Sequence, residues 1–329
     1  MTTSPTITDI EAATMRLAGY SYHTPVLESV RVNEQLECRI LIKAECLQRT
    51  GSFKFRGAFN MISSLSESQK AKGVVAFSSG NHAQGVAASA KILGLKATIV
   101  MPADAPVVKI DNTRGDGAEV VLYDRADANR VAIATKIINE TGATLVPPFD
   151  APEIMAGQGT LGLEFFDQVK KRNDELDVLL GPCSGGGMIG GNAIAFADRS
   201  PNTLVYSVEP VGYDDTALSL EAGERKTITP GTPSFCDALL LETPGELTFQ
   251  TNKHLLAGGL VVSQAETAHA MKVAFQEYKI VVEPGGAVAL AAVLSGKIDV
   301  KNKTVGIICT GGNIDATTFT QVLEGKYDA

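Results

Sequence analysis

Hydrophobic positions along this chain follow two alternating rhythms. Short, β-rich apolar runs occur at residues 74–77, 97–101, 119–123, 178–180, 204–208 and 304–308, and stretches of helical length separate them. Such alternation predicts parallel sheets covered by helices. The runs fall into two groups on either side of a turn-rich stretch at residues 146–150, so the expected fold is α/β: two doubly wound parallel-sheet domains with a ligand in the crevice between them. Near the N-terminus, Thr8-x-x-Glu11 predicts a capping box with Ile7 as its hydrophobic staple, and Ile10, Ala13 and Leu17 form an apolar stripe that stops at Gly19. Residues 227–234, rich in Gly, Pro and Thr, read as a surface loop. The most apolar stretch, residues 286–295, is about half the length a membrane span needs, so no membrane association is expected.

Composition narrows the class. The 329 residues suffice for about two domains, and 44% hydrophobic with 20% charged residues is ordinary for a folded enzyme. Lys+Arg 29 against Asp+Glu 37 leaves a net charge of −8, with no cationic excess to neutralise a nucleic-acid backbone. Residues 1–10 lack the basic-then-apolar pattern of a signal peptide, which points to the cytoplasm. Cys38, Cys46, Cys183, Cys236 and Cys309 are scattered and odd in number, as expected of reduced thiols rather than a disulfide framework or a zinc site.

The chemistry concentrates in small-residue clusters placed where strands give way to helices. In Thr50-Gly51-Ser52-Phe53-Lys54-Phe55-Arg56-Gly57, a lysine sits in a small-residue turn beside an aromatic. A sheltered amine there has a lowered pKa and can act as an imine-forming nucleophile; a solvated surface lysine is the alternative. Ser78-Ser79-Gly80-Asn81-His82-Ala83-Gln84-Gly85 opens a helix after the run at 74–77 and offers N–H groups and hydroxyls to a carboxylate, or is a plain N-cap. Cys183-Ser184-Gly185-Gly186-Gly187-Met188-Ile189-Gly190-Gly191 bares successive N–H groups at a helix start, where a phosphate fits. Gly185-x-Gly187-x-x-Gly190, with Glu209 about 20 residues on, also satisfies the dinucleotide fingerprint, which keeps a nicotinamide reading open at this point. Thr310-Gly311-Gly312-Asn313 ends the last strand with a hydroxyl able to reach a ring nitrogen.

Together these clusters resemble the serine/threonine dehydratase and serine racemase family, within the tryptophan-synthase-β-like class of pyridoxal-phosphate enzymes. The resemblance runs from about Tyr22 to Asp315 and rests on Ser52-Phe53-Lys54-x-Arg56-Gly57-Ala58, Ser79-Gly80-Asn81-His82, Ala156-Gly157-Gln158-Gly159-Thr160 and Gly311-Gly312-Asn313 in family order. It implies a large cofactor-binding domain of residues 1–72 and 149–329 and a small substrate domain of residues 73–148. It further implies that Lys54 holds pyridoxal 5'-phosphate as an imine, that Phe53 packs by the ring and that Asn81 holds the ring hydroxyl. Ser184, Gly185, Gly186, Gly187 and Met188 then cradle the phosphate, and Thr310 faces the pyridine nitrogen. Ser184 departs from the usual first glycine, and Thr310 from the commoner serine or cysteine; both keep the required donor. Lys54 and Ser79 are the implied catalytic pair, and Ser78, Ser79, Asn81 and His82 the implied binders of substrate. A neutral hydroxyl at Thr310 does not hold the pyridine nitrogen protonated, which suits prompt β-elimination of water. Glu283-Pro284-Gly285-Gly286-Ala287 resembles the segment near the pyridine ring, a plain helix start being the alternative.

Finer expectations follow from the same likeness. Ser79 occupies a position where many threonine dehydratases have alanine, and it resembles the serine racemase residue that faces the lysine across the cofactor. Glu209, the Tyr213 carbonyl and Asp215 resemble a site for Mg²⁺, Mn²⁺ or Ca²⁺, with a solvated acidic loop as the alternative. Arg130 lines up with an arginine that faces a second carboxylate, and a guanidinium fork there selects 3-hydroxyaspartate; a plain surface arginine is the alternative. The expected activity is 3-hydroxyaspartate dehydration, with threonine/serine dehydration or serine racemisation as alternatives, in a homodimer. Little chain follows Gly312, so no regulatory domain for feedback inhibition by isoleucine is expected.

Overall fold

The computed structural model describes residues 3–78, 80–105, 107–124, 129–229, 231 and 233–328. In chain order its strands are β1 (Val26–Leu27), β2 (Arg39–Ala44), β3 (Val74–Phe77), β4 (Ala97–Pro102), β5 (Glu119–Tyr123), β6 (Thr144–Leu145), β7 (Val178–Pro182), β8 (Leu204–Pro210), β9 (Gly258–Val262) and β10 (Thr304–Cys309). They form a six-stranded sheet, β1-β2-β10-β7-β8-β9, and a four-stranded sheet, β5-β4-β3-β6. Only β1 runs antiparallel to its neighbour. The middle strands β7 and β10 are buried almost throughout, as strands covered on both faces must be, whereas β5 at an edge is largely accessible.

The apolar stretch near residue 290 is a core helix, Pro284–Leu294, whose residues 284–293 are buried against β7, β8 and β10. Apolar on every side, it stabilises the large sheet by burial on all faces rather than along one stripe. Among the described residues, no helix is long and apolar enough to cross a membrane.

The first helix, Ile7–Leu17, buries Ile10, Ala13 and Leu17 as its periodicity predicts, but its cap differs from the expectation. Thr6 and Asp9 make the reciprocal capping box, Thr6 N donating to Asp9 Oδ2 at 2.7 Å. The apolar stripe is identical for a helix starting two residues earlier, so it does not discriminate between the two Thr-x-x-acid patterns. Consequently Thr8 lies inside the helix, and Ile7 is its first residue rather than a staple. Described residues of the stretch 227–234 carry no helix or strand and are mostly accessible, as a loop should be.

Helix Lys54–Ser64 crosses helix Pro152–Lys170 at the Gly57–Gly157 contact, where a Cβ on Gly157 would lie 2.6 Å from the Gly57 Cα. A buried ion cluster fixes the same helix from below. Arg56 donates to both Glu45 oxygens at 2.8 Å and meets Glu164 at 3.0 Å, and Lys43 also pairs with Glu164. Truncating one member of such a desolvated set costs several kcal/mol, on the order of 3–5, because a charge is left uncompensated.

Candidate active site

A cavity of about 760 Å³ lies between the two sheets and is lined by Phe53, Lys54, Ser78, Asn81, His82, Arg130, residues 184–188 and Thr310. Its size suits a small-molecule site. The four clusters singled out in the sequence thus meet in one cleft, although they come from helix Lys54–Ser64, the β3–helix turn, the β7–helix turn and the end of β10. Ser79 lies outside the described residues, as do Asp127 and Ala128 before Arg130.

Lys54 begins its helix, and its Nζ donates to the Pro148 carbonyl at 2.6 Å. The nitrogen is 5.2 Å from the Phe53 ring centroid. Burial lowers the amine's pKa to about 8, because a desolvated ammonium loses hydration that one carbonyl does not replace. A substantial neutral fraction near physiological pH is what an imine-forming amine needs. Helix Asn81–Leu93 passes against the Lys54 backbone at Gly85, whose Cβ would sit 3.1 Å from the Lys54 carbonyl carbon.

His82 is buried and neutral. Burial and then the charge of Lys54 push its pKa down to about 3, and Nε2 donates to the Val146 carbonyl at 2.9 Å, leaving Nδ1 without a partner. Asn81 is held from both ends: its Nδ2 donates to Glu283 Oε1, and its Oδ1 accepts from Asn313 Nδ2 at 2.8 Å. Burial raises Glu283 to about 7 against the pull of Lys109, which lies 4.0 Å from Oε2 and 2.6 Å from Asp237. The Glu283 segment does start a helix, as its plainer reading has it, but its carboxylate also reaches the cleft.

The glycine loop follows β7 and opens helix Gly187–Arg199, whose N-terminus adds positive potential. Gly186 has φ of +86°, which a side chain resists. Phe149, from the linker between the sheets, covers Gly185 so closely that a Cβ there would be 2.3 Å from its ring. Arg130 begins helix Arg130–Thr141, is exposed, and holds its guanidinium 5.4 Å from the Phe77 ring centroid.

Glu209, Tyr213 and Asp215 do not join the cleft lining. They lie behind it, where Thr216 Oγ1 stands 3.4 Å from Cys183 Sγ. Both Asp215 oxygens are buried without a partner, and burial lifts that group to about 7. Glu209 accepts from Thr216 N at 3.1 Å and Ala217 N at 2.8 Å, yet burial and then Asp215 keep its pKa well above the usual range. Two buried carboxylates without a countercharge suit a hard cation in donor type. Among the described residues no group of three or more His, Cys, Asp or Glu is arranged around a metal position.

Sequence reasoning missed several residues that shape the cleft: Pro148, Phe149 and Asp150 of the linker, Lys109 with Asp237, and Thr248 with Asn252 of helix Glu246–Leu255. The last pair carried a signal, since polar residues four apart share one helix face.

The cradle fits pyridoxal phosphate. It offers a desolvated amine, a helix-start glycine loop for a dianion and a hydroxyl residue, Thr310, on the cleft wall. The model of the family described as pyridoxal-phosphate dependent enzyme matches residues 18–311. An L-threo-3-hydroxyaspartate ammonia-lyase of Pseudomonas sp is 42% identical over 318 residues, covering 96% of this chain and 98% of the relative. A serine racemase of Schizosaccharomyces pombe is 41% identical over 320 residues, 97% of each chain. An L-threonine ammonia-lyase of Thermotoga maritima is 39% identical over 318 residues, 97% of this chain and 78% of the relative. The solved structure of maize serine racemase superposes with a TM-score of 0.91 at 36% identity, covering 98% of each chain.

Proposed function

Because the chain belongs to the family of pyridoxal-phosphate dependent enzymes, we propose that it is a dehydratase, a carbon–oxygen lyase, that eliminates water from 3-hydroxyaspartate to give iminosuccinate, which hydrolyses to oxaloacetate and ammonia. The observation that carries the reading is the meeting, in one cleft, of the desolvated Lys54 amine, the glycine loop and Arg130. The names of relatives at about 40% identity support the same class.

When bound, the cofactor supplies an electron sink for the substrate's α-carbon. The rest falls to the chain. Residues 184–188 hold the phosphate through backbone N–H groups, and Thr310 offers its hydroxyl to the ring nitrogen. The amide of Asn81, fixed by Glu283 and Asn313, has one N–H free for the ring hydroxyl. Ser78, Ser79 and the start of helix Asn81–Leu93 take the α-carboxylate, with neutral His82 beside them. The Lys54 Nζ would accept the α-proton, and its low pKa makes the neutral base available without extreme pH. Arg130 binds the second carboxylate, and Ser79 serves as the second catalytic residue.

Glu209, Tyr213 and Asp215 would hold a divalent cation, Mg²⁺, Mn²⁺ or Ca²⁺, that neutralises the buried carboxylates behind the glycine loop. Residues 1–72 and 149–329 form the cofactor domain and residues 73–148 the substrate domain of an enzyme that works as a homodimer in the cytoplasm. The test is a panel of 3-hydroxyaspartate, threonine and serine. Highest kcat/KM for hydroxyaspartate, with oxaloacetate and ammonia formed in equal amounts, is the expected result; a clear preference for threonine or serine overturns the substrate assignment.

A further inference from the structure

Polar side chains behind a glycine loop decide which way its peptide groups face. Thr248 Oγ1 donates to the Gly185 carbonyl at 2.6 Å, and Asn252 Nδ2 donates to the Gly186 carbonyl at 3.2 Å. Both residues are buried, Thr248 at 0% and Asn252 at 1% exposure, and neither is among the residues that line the cleft, whereas Gly185, Gly186 and Gly187 are. In a trans peptide the C=O of one residue and the N–H of the next point in opposite directions. Anchoring the carbonyls of Gly185 and Gly186 on helix Glu246–Leu255 therefore turns the N–H groups of Gly186 and Gly187 away from that helix, toward the cleft side. The contact is also close enough to select the loop's composition: a Cβ on Gly186 would lie 2.6 Å from Asn252 Nδ2 and 3.1 Å from Thr248 Oγ1.

The helix that carries the two anchors is itself tied to the linker. Asp150 accepts from Glu246 N at 3.0 Å and from Thr248 N at 3.1 Å, capping the first turn of the helix. Two residues earlier the same linker supplies the Pro148 carbonyl to Lys54. Amine and glycine loop are thus referenced to one short segment, residues 148–150.

We propose that Thr248 and Asn252 are positioning residues that set the affinity of the glycine loop for the cofactor's phosphate. This rests on the pyridoxal-phosphate reading and adds the residues on which phosphate recognition depends. Losing Thr248 leaves the buried Gly185 carbonyl without its donor and frees that peptide to rotate, which removes one inward N–H; the Gly186 carbonyl still accepts from Gly190 N at 2.9 Å, so losing Asn252 removes the second of its two bonds. The expected cost is about tenfold in affinity for Thr248 and a smaller one, about threefold, for Asn252, felt only by a ligand that carries the phosphate.

The experiment titrates apoprotein with pyridoxal phosphate and with pyridoxal, reading Kd from absorbance, for the wild type and for Thr248→Val, Thr248→Ser and Asn252→Leu. The expected result is a Kd for pyridoxal phosphate weaker by roughly tenfold in Thr248→Val and about threefold in Asn252→Leu, an unchanged Kd for pyridoxal, and recovery in Thr248→Ser. Thr248→Cys, which keeps the volume and a weak donor, gives an intermediate loss and replaces the valine variant if that does not fold. Equal weakening toward both ligands, or none toward either, overturns the proposal while leaving the cofactor assignment intact. Failure of the wild type to bind pyridoxal phosphate at all overturns the underlying reading instead.

Discussion

Arg130 offers the sharpest handle on substrate choice. It stands at the start of helix Arg130–Thr141 on the cleft wall, steadied by the Phe77 ring at 5.4 Å, and is exposed rather than buried. Truncation to alanine removes a guanidinium fork and leaves no unpaired buried charge, so the fold is expected to keep its stability within about 0.5 kcal/mol. A hydrogen bond to a charged group contributes about 1.5–3 kcal/mol, and the accessible position argues for the lower part of that range for the pair as a whole. Converted at 1.36 kcal/mol per decade, Arg130→Ala should lower kcat/KM for 3-hydroxyaspartate by roughly 10–40-fold. Threonine carries a methyl where hydroxyaspartate carries the carboxylate, so its kcat/KM should change by less than about threefold by the same argument. Arg130→Lys keeps the charge but loses the fork and should fall between. Oxaloacetate and 2-oxobutanoate are each followed through a coupled NADH-consuming dehydrogenase. Unchanged hydroxyaspartate turnover in Arg130→Ala, or an equal fall for threonine, would refute the reasoning.

Three further outcomes follow from the geometry. Burial raises Glu283 from 4.5 to about 7, so between those values the folded chain keeps a proton that the unfolded chain has lost, and stability falls as pH rises through that window. The groups facing it are Asn81, Lys109 and Asp237; Glu283→Gln should flatten the slope, worth up to about 3 kcal/mol at ~1.36 kcal/mol per pH unit, in urea melts taken from pH 4.5 to 7.5. Mg²⁺ or Mn²⁺ at millimolar concentration should raise Tm by binding the folded state, and Asp215→Asn should abolish the rise in a thermal shift assay; an undiminished rise would move the site elsewhere. Gly185→Ala places a Cβ 2.3 Å from the Phe149 ring, so overpacking of about 1–3 kcal/mol should weaken cofactor binding roughly 10–100-fold in a spectral titration.

Much of this architecture is legible along the chain because its main strands are continuous β-rich runs: β3 and β5 coincide with the expected 74–77 and 119–123, and the ends of β4, β7, β8 and β10 shift by only one or two residues. The strands without a signal have physical reasons for it. β9 opens with Gly258-Gly259, residues of poor strand propensity, and the second is required by the approach of Ala217, 2.6 Å from a Cβ built there. The two-residue β1 and β6 are too short for any periodicity, and β2 carries Arg39 and Lys43, whose partners Asp174 and Glu164 are distant in sequence. In the cleft, small-residue turns betrayed Lys54, Asn81 and the glycine loop because their chemistry is local. Pro148, Thr248 and Asn252 act through a backbone carbonyl or from behind another residue, and such roles exist only once the chain has folded.

The central claim is that the amine at residue 54 binds the cofactor covalently. Holoenzyme is reduced with borohydride, digested and mapped by mass spectrometry, with Lys54→Ala treated in parallel. The account predicts a phosphopyridoxyl adduct on the peptide containing Lys54 and none in the variant. An adduct on another lysine, such as Lys109 across the same cleft, or no adduct in the wild type, would contradict it.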